Sequence, residues 1–284
     1  MVALGGGHGQ AATLRAARRY AGSITAVVSV ADDGGSSGRL RRQLGIVPPG
    51  DLRTCLVALA AEGSALAAAF EHRFDADGGE LAGHALGNLV LAGLVGALGS
   101  VQGALDEAGR LLGSCGRVVP AAAEPVVLKA QSEQGEIAGQ TAVMRTARIS
   151  RVSLVPEDAA APAEAVDALL GADQIVLGPG SLYTSVLAAA VVPEVCAALG
   201  ASRARKVYVA NLRPQQAETD GYDVAAHVDA LAAHGIGVDV VLADTACIEL
   251  GRPAVPAVVA PLAAPGGHAH DPVRLAEALA GLVG

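Results

Sequence analysis

MVALGGGHGQAATLRAARRY (residues 1–20) followed by ITAVVSVADDGGSSGR (24–39) sets two apolar runs of strand length on either side of one helix length. Met1 to Leu4 reads as a buried strand, Gly5 to Gly9 as a tight loop and Gln10 to Tyr20 as a helix with Arg15, Arg18 and Arg19 on its wet side. Ile24 to Val30, rich in β-branched residues, is the next strand, and the polar, glycine-dense Ala31 to Arg39 is expected to be a crossover loop. The order β, α, β predicts a parallel sheet. Gly7, Gly9 and Ala12 satisfy a G-x-G-x-x-A spacing directly after a strand, a place where backbone N–H groups and the positive end of a helix can approach a phosphate.

The same alternation returns downstream: helix 162–171, strand 174–178, a glycine loop, a helix, strand 206–211, a loop, helix 223–234 and strand 238–243. Between the two halves lie helices expected over 51–61, 65–70 and 86–98, the last apolar enough to be a buried helix, with Asp75 to Gly83 as a surface loop. Strands at 118–119, 126–130 and 149–155 follow, Glu133 to Gly139 forming the turn of a hairpin-like segment. Residues 251–267, rich in Pro, Ala and Gly, are expected to wander over the surface before a final helix over 272–282. The prediction is a single α/β domain over 1–284, Rossmann-like, three-layered α/β/α with a mostly parallel sheet and a helical and hairpin insertion at roughly 50–150.

Composition narrows the function. A chain of 284 residues with 52% hydrophobic and 17% charged residues belongs with soluble globular proteins; at this length about 75% of the unfolded surface can be buried without metal or disulfide staples. The net charge of −8 argues against broad nucleic-acid or anionic-membrane binding. Four Tyr, two Phe and no Trp leave little from which to build base-stacking platforms. Cys55, Cys115, Cys196 and Cys247 lack metal-ligand spacing and read as reduced, mostly buried residues of a cytoplasmic protein. No signal peptide is expected, because residues 1 to 9 turn glycine-rich before an apolar segment of useful length can form, and Leu86 to Leu98 falls short of the roughly 20 residues needed for a membrane span.

Six polar, glycine-punctuated stretches could carry chemistry. Gly6, Gly7, His8 and Gly9 form the first; His8 either bonds backbone or donates to a phosphate or sugar hydroxyl. Asp32 and Asp33, with Ser36, end the second strand: either acid could hold Mg²⁺ through water or bond a ribose hydroxyl, or Asp33 could simply form a turn. In PPGDLR (48–53) Asp51 is placed to cap a helix starting at Leu52, and Arg53 could reach an anion or pair with Asp51. GHALGN (83–88) places Asn88 ahead of an apolar run, where burial would demand partners. GPGSLYTS (178–185), with Gly180, Ser181, Tyr183 and Thr184, again follows a strand and precedes a helix, so two glycine loops face the same edge of the sheet, where open α/β sheets bind ligands. Asn211, Gln215 and Glu218 follow a further strand and add carboxamides and an acid to that edge.

With GGGHG (5–9), VADDGGSSGRLR (30–41), PPGDLR (48–53), HRF (72–74), GHALGN (83–88), GPGSLYTS (178–185) and Glu218-Thr219, the sequence resembles the YvcK family, the bacterial gluconeogenesis factors related to the CofD 2-phospho-lactate transferases. The resemblance runs from residue 2 to about 245. It implies a CofD-like fold, a cytoplasmic protein, binding of a UDP-sugar with UDP-N-acetylglucosamine as first candidate, no required cofactor, and a role in cell shape and cell-wall precursor metabolism during gluconeogenic growth, with protein partners or an oligomer compatible with that role. CofD-type members instead use Mg²⁺ to transfer a phospholactyl group from a nucleotide-activated donor to a deazaflavin, for which Asp32 or Asp33 would serve catalysis and Asp33 the metal. Carried over by position, the glycine loop with His8, Asp32, Asp33, Asn88 and the Ser181–Thr184 loop would line the nucleotide pocket. Departures fall at Pro214 to Ala217, where a threonine and a glycine are lost, at Ala188-Ala189, where an asparagine is lost, and at Ala269, where an arginine is lost. A nicotinamide dehydrogenase would match the G-x-G-x-x-A spacing alone and has no place for ADDGGSSGR or GPGSLYTS.

Overall fold

The computed structural model describes residues 1–283 apart from 76 and 78. Its centre is a parallel sheet of seven strands in the order β10-β9-β8-β7-β1-β2-β3. β1 (Val2–Gly5), entirely buried, pairs on one side with β2 (Thr25–Val28) through Leu4↔Val27 and on the other with β7 (Gln174–Leu177) through Leu4↔Leu177. The strand lacks any polar residue because both faces of the sheet are covered.

Chain order explains the layers. From β1, α1 (Gly7–Ala17) crosses to β2, and after α2 (Gly35–Leu44), α3 (Gly50–Leu59), α4 (Ala65–Glu71), α5 (Leu86–Leu98) and α6 (Val101–Leu112) the chain reaches β3 (Arg117–Pro120) at one edge. A small antiparallel sheet, β5-β4-β6, follows, built from β4 (Val127–Ser132), β5 (Gly135–Ala138) and β6 (Ile149–Val155), with the short α7 (Gln140–Val143) between the last two. α8 (Ala163–Leu170) leads into β7. A π-helical stretch, Leu182–Leu187, runs on as α9 (Ala188–Ala190), then come α10 (Pro193–Ala201), β8 (Arg205–Val209), α11 (Val224–Ala233), β9 (Val240–Ala243), the edge strand β10 (Ala257–Val259) and α12 (Pro272–Ala280).

The strand period of two divides the core. Val176, Val207, Val209, Val240 and Leu242 pack with Leu275, Leu279 and Leu282 of the α12 region, whereas Ile175, Leu177, Tyr208 and Val241 face the cluster holding Val186, Leu187, Val195, Val228 and Leu231. Strands β2 and β3 lie to one side of β1, and β7 to β10 to the other. The chain therefore reverses its direction of winding between β1 and β7, and the loops after these two strands open onto one crevice.

The predicted α/β class and mostly parallel sheet agree with this architecture. Several local expectations do not. Half of the glycine-dense Ala31–Arg39 is the start of α2, and α1 begins at Gly7, three residues early, which puts His8 in its first turn. The supposed turn at Glu133–Gly139 contains β5, whose residues pair with β4 from Ser132↔Gly135 to Lys129↔Ala138. β10 forms inside the segment expected to wander. α5 buries only Gly87, Asn88 and Leu91, while Leu98 is 52% exposed; the apolar run marked a helix but not a buried one. The loop expected over Asp75–Gly83 includes Ala76 and Gly78, which lie outside the described residues, and Gly79–Leu81 form a 3-10 turn. All four cysteines are free but only Cys55 is buried. No single helix among the described residues is long and apolar enough to cross a membrane.

Candidate functional site

The two glycine loops meet at the β1/β7 crevice with almost no space between their backbones. A Cβ on Gly9 would stand 2.6 Å from the Pro179 carbonyl carbon and 2.9 Å from the Gly180 Cα, and nearer still to the Pro179 oxygen. Gly7 (φ +63°) and Gly180 (φ +146°) adopt conformations that side chains rarely tolerate. Thr13 Oγ1, in the second turn of α1, donates to the Gly178 carbonyl at 2.7 Å and so fastens the second loop to the helix that follows the first.

Asn211, Gln215 and Glu218, after β8, hold the second loop from its other side. Asn211 clamps Gly180 in two directions, accepting its N–H on Oδ1 and donating Nδ2 to its carbonyl, both at 2.9 Å. Gln215 Nε2 donates to Ser181 Oγ at 2.8 Å. Glu218 is buried, accepts the backbone N–H groups of Tyr183 (2.7 Å) and Thr184 (3.2 Å) on Oε1, and accepts the Thr184 hydroxyl on Oε2. It thereby satisfies donors at the start of a helical segment that has no carbonyls ahead of it. Burial raises the Glu218 carboxyl above the usual carboxylate range, and those donors act in the opposite direction.

The crevice has two lobes. One, of about 380 Å³, is lined by Gly6, Gly7, His8, Gly9, Gly180, Ser181 and Ser185 together with Asp32, Asp51, Gln140, Met144 and Gln215. The other, of about 260 Å³, shares His8, Gly9, Gly180 and Gln215 with the first and adds Asn211, Arg213, His268 and His270. His8 is exposed at the ridge between them.

Of the residues singled out from sequence, Gly6, Gly7, His8, Gly9, Asp32, Gly180, Ser181 and Asn211 come together at the crevice. The others take supporting positions. Asp33 Oδ1 accepts the Thr141 N–H at 2.9 Å and its hydroxyl at 2.6 Å, tying the loop between β2 and α2 to α7. Ser36 accepts from Asn88 Nδ2 at 3.0 Å and lies 2.9 Å from His84 Nδ1, a buried link between α2 and α5 in which the Asn88 Oδ1 atom finds no partner among the described residues. Tyr183 is buried, donating to the Ile149 carbonyl or pairing with the Tyr222 hydroxyl, and Thr184 is buried behind it.

Asp51 belongs at the site for a reason its local sequence hides. α3 starts at Gly50, so Asp51 falls inside the first turn instead of capping it, and its carboxylate lies against Gly6, where a Cβ would collide with it. Burial, and after it the charge of Asp32, push its pKa up to about 7, while the Gly7 amide offsets part of the rise. Asp32 is likewise raised, mainly by burial, with the Gly34 N–H at 2.9 Å opposing it. Arg53 turns away: its Nη1 lies 3.6 Å from Glu71 and 3.4 Å from the Phe70 carbonyl, joining α3 to α4.

Chemically, the first lobe offers close backbone approach beside two carboxylates that repel one another. A hard divalent cation would relieve that repulsion, and Mg²⁺ is commonly held by one or two carboxylates with substrate phosphates completing its shell. Asp32 and Asp51 fit such an ion; no group of three or more His, Cys, Asp or Glu able to hold a metal occurs among the described residues.

A protein-family model described as 2-phospho-L-lactate transferase CofD matches residues 1–253. A Mycobacterium tuberculosis protein is 45% identical over an alignment covering 99% of this chain and 90% of the relative. The gluconeogenesis factor of Bacillus subtilis is 42% identical, with 85% of this chain and 77% of the relative covered. The crystal structure of a UPF0052-family protein from Bacillus halodurans superposes with a TM-score of 0.92 at 38% identity, covering 98% of this chain and 97% of the other. A match of that extent, with the shared parallel sheet, makes this chain a member of the CofD family, in the branch whose curated relatives carry the name gluconeogenesis factor.

Proposed function

We propose that the chain binds a nucleotide-activated sugar, UDP-N-acetylglucosamine first among candidates, and acts as a binding factor in cell-shape and cell-wall precursor metabolism during gluconeogenic growth. The observation that supports this most is the meeting of two glycine loops at the point where the sheet reverses its winding, with their backbones in contact. Such loops take a diphosphate because each amide can approach it without a side chain between. Asn211, Thr13 and Glu218 hold the loops in place before a ligand arrives, so little ordering is left for binding to offset.

Isothermal titration with UDP-N-acetylglucosamine, with and without Mg²⁺ and with UDP, GDP and NAD as controls, tests the reading. Saturable binding of the UDP-sugar without its consumption is expected; binding of NAD alone would overturn it. A second reading, a CofD-type transferase moving a phospholactyl group from a nucleotide-activated donor to a deazaflavin, draws on the carboxylates of Asp32 and Asp51 beside the glycine loop. In that case Mg²⁺ would supply charge neutralisation at the phosphates. Binding of GDP that requires Mg²⁺, with none of the UDP-sugar, would favour it.

A further inference from the structure

A second concave surface lies beside α1, between the turn that joins α3 to α4 and the start of α12. This groove, of about 980 Å³, has more than twice the volume of either lobe of the crevice and shares no lining residue with them. Arg15, Arg18 and Arg19 all line it, in a chain whose net charge is −8.

The three arginines are not equivalent. Arg18 is committed: its Nη1 donates to the carbonyls of Ala58 (3.0 Å) and Ala60 (2.7 Å), closing the end of α3, and its Nη2 lies 3.8 Å from Glu62. Arg15 and Arg19 are exposed, and neither guanidinium has a hydrogen bond or an ion pair among the described residues. Four residues apart, they share one side of the chain's helical path and repel each other. The carbonyl end of α1 favours a cation in the last turn, which accounts for one of them but not for the pair.

The acids of the groove leave that charge standing. Asp271 Oδ1 is spent on the cap of α12, accepting the N–H groups of Val273 (2.8 Å) and Arg274 (3.2 Å), and the Glu62 side chain is 92% exposed. Between the charges the lining is apolar and made of small side chains, among them Val57, Ala61 and Val273, the last 42% exposed. A space of this size is far more than one phosphate fills. Small apolar side chains let a polypeptide backbone lie close, and guanidinium forks meet carboxylates two bonds at a time.

We propose that this groove docks a partner protein through an acidic segment in which carboxylates are interspersed with apolar side chains. The carboxylates meet Arg15 and Arg19, and the apolar groups meet Val57 and Val273. Charge complementarity sets the partner's chemistry, since an acidic segment is repelled by the protein's net charge and is drawn in only where unpaired arginines gather. The docking surface does not depend on which ligand fills the crevice.

The whole protein and a fluorescein-labelled peptide of sequence LEELEEL supply the test. Fluorescence anisotropy should rise saturably. Affinity should fall at least tenfold in an Arg15→Ala/Arg19→Ala double variant, and by less than twofold in Arg252→Ala, which removes an exposed arginine outside the groove. Absence of saturable binding, or an equal loss in the two variants, would overturn the proposal. Cys115 gives a second readout, because it is exposed and lines the groove, whereas Cys55 is buried and Cys196 and Cys247 are half-buried. Alkylation of Cys115 by iodoacetamide, followed by peptide mass spectrometry, should slow at least fivefold when LEELEEL is saturating. An unchanged rate would remove the peptide from the groove, and protection by inorganic pyrophosphate but not by the peptide would make this a small-anion site; either result would overturn protein docking. Peptide binding as expected in a protein that takes up no nucleotide sugar would sink the nucleotide-sugar reading alone.

Discussion

Gly9→Ala sets two physical effects against each other at the contact between the loops. Gly9 lies in α1, where alanine is intrinsically favoured by roughly 0.5–1 kcal/mol. Its new Cβ, however, would lie 2.6 Å from the Pro179 carbonyl carbon and 2.9 Å from the Gly180 Cα. Ordinary carbon contacts lie at about 3.5–4.0 Å, so the loops must part by roughly 1 Å. The obstruction is backbone, itself pinned by Thr13 and Asn211, and cannot rotate aside. Overpacking of this kind costs about 1–3 kcal/mol, which outweighs the helical gain and leaves a net loss of about 1–2 kcal/mol. For a chain near this length that lowers Tm by roughly 2–6 °C. Gly93→Ala is the control: Gly93 is an exposed position of α5 with nothing within 4 Å of a Cβ, and should gain roughly 0.5–1 kcal/mol. Urea unfolding of both variants, with a titration of UDP-N-acetylglucosamine, reads the result. If Gly9→Ala were stabilised like Gly93→Ala and bound the nucleotide sugar as the parent does, the account of the crevice would be wrong.

Asp51→Asn should change how stability depends on pH: a carboxyl raised to about 7 in the folded chain stabilises it fully below the unfolded value of about 4, and that contribution is lost as pH rises toward 7. Urea midpoints should therefore favour the variant over the parent at pH 8 and bring the two together at pH 4, with a pH-independent difference counting against the burial of Asp51. Glu218→Ala leaves two buried N–H groups without an acceptor and should cost about 2–4 kcal/mol, whereas Glu218→Gln, which keeps one acceptor, should recover about half of the loss in the same unfolding assay. Asp33→Ala frees α7 from the loop between β2 and α2 and should lower stability by about 1–2 kcal/mol; a larger effect on Mg²⁺-dependent binding than that of Asp32→Asn, measured by titration, would return the metal to Asp33.

What the sequence made legible followed from strong periodic signals. The central strands β1 and β9 are uninterrupted, buried apolar runs because both faces of the sheet are covered there, and the two glycine loops stand directly after β1 and β7. The first turns of α2 were hidden because Gly35, Ser36, Ser37 and Gly38 are poor helix formers; Gly38 is required there by a close local approach, the carbonyl of Asp33 just ahead of the helix occupying the space of a Cβ. β5 is an edge strand, mostly exposed, so it carries no apolar alternation. Asp51 was misread for a different reason: an acid next to Pro-Pro-Gly is equally suited to capping its own helix, and only the packing of α3 against Gly6 turns it toward the crevice. The roles of Asn211, Tyr183, Thr184 and Glu218 were beyond local reading too, since loops after different strands hold one another through main-chain groups that no side-chain pattern records.

The central claim is that the ligand's diphosphate lies over the β1/β7 crevice, against the backbone of both glycine loops. A crystal structure of the protein with UDP-N-acetylglucosamine tests it most directly. The account predicts diphosphate density against the backbone of Gly7 to Gly9 and of Gly180 and Ser181, over the β1/β7 crevice. Density for the nucleotide sugar anywhere else on the molecule, with that crevice empty, would contradict it.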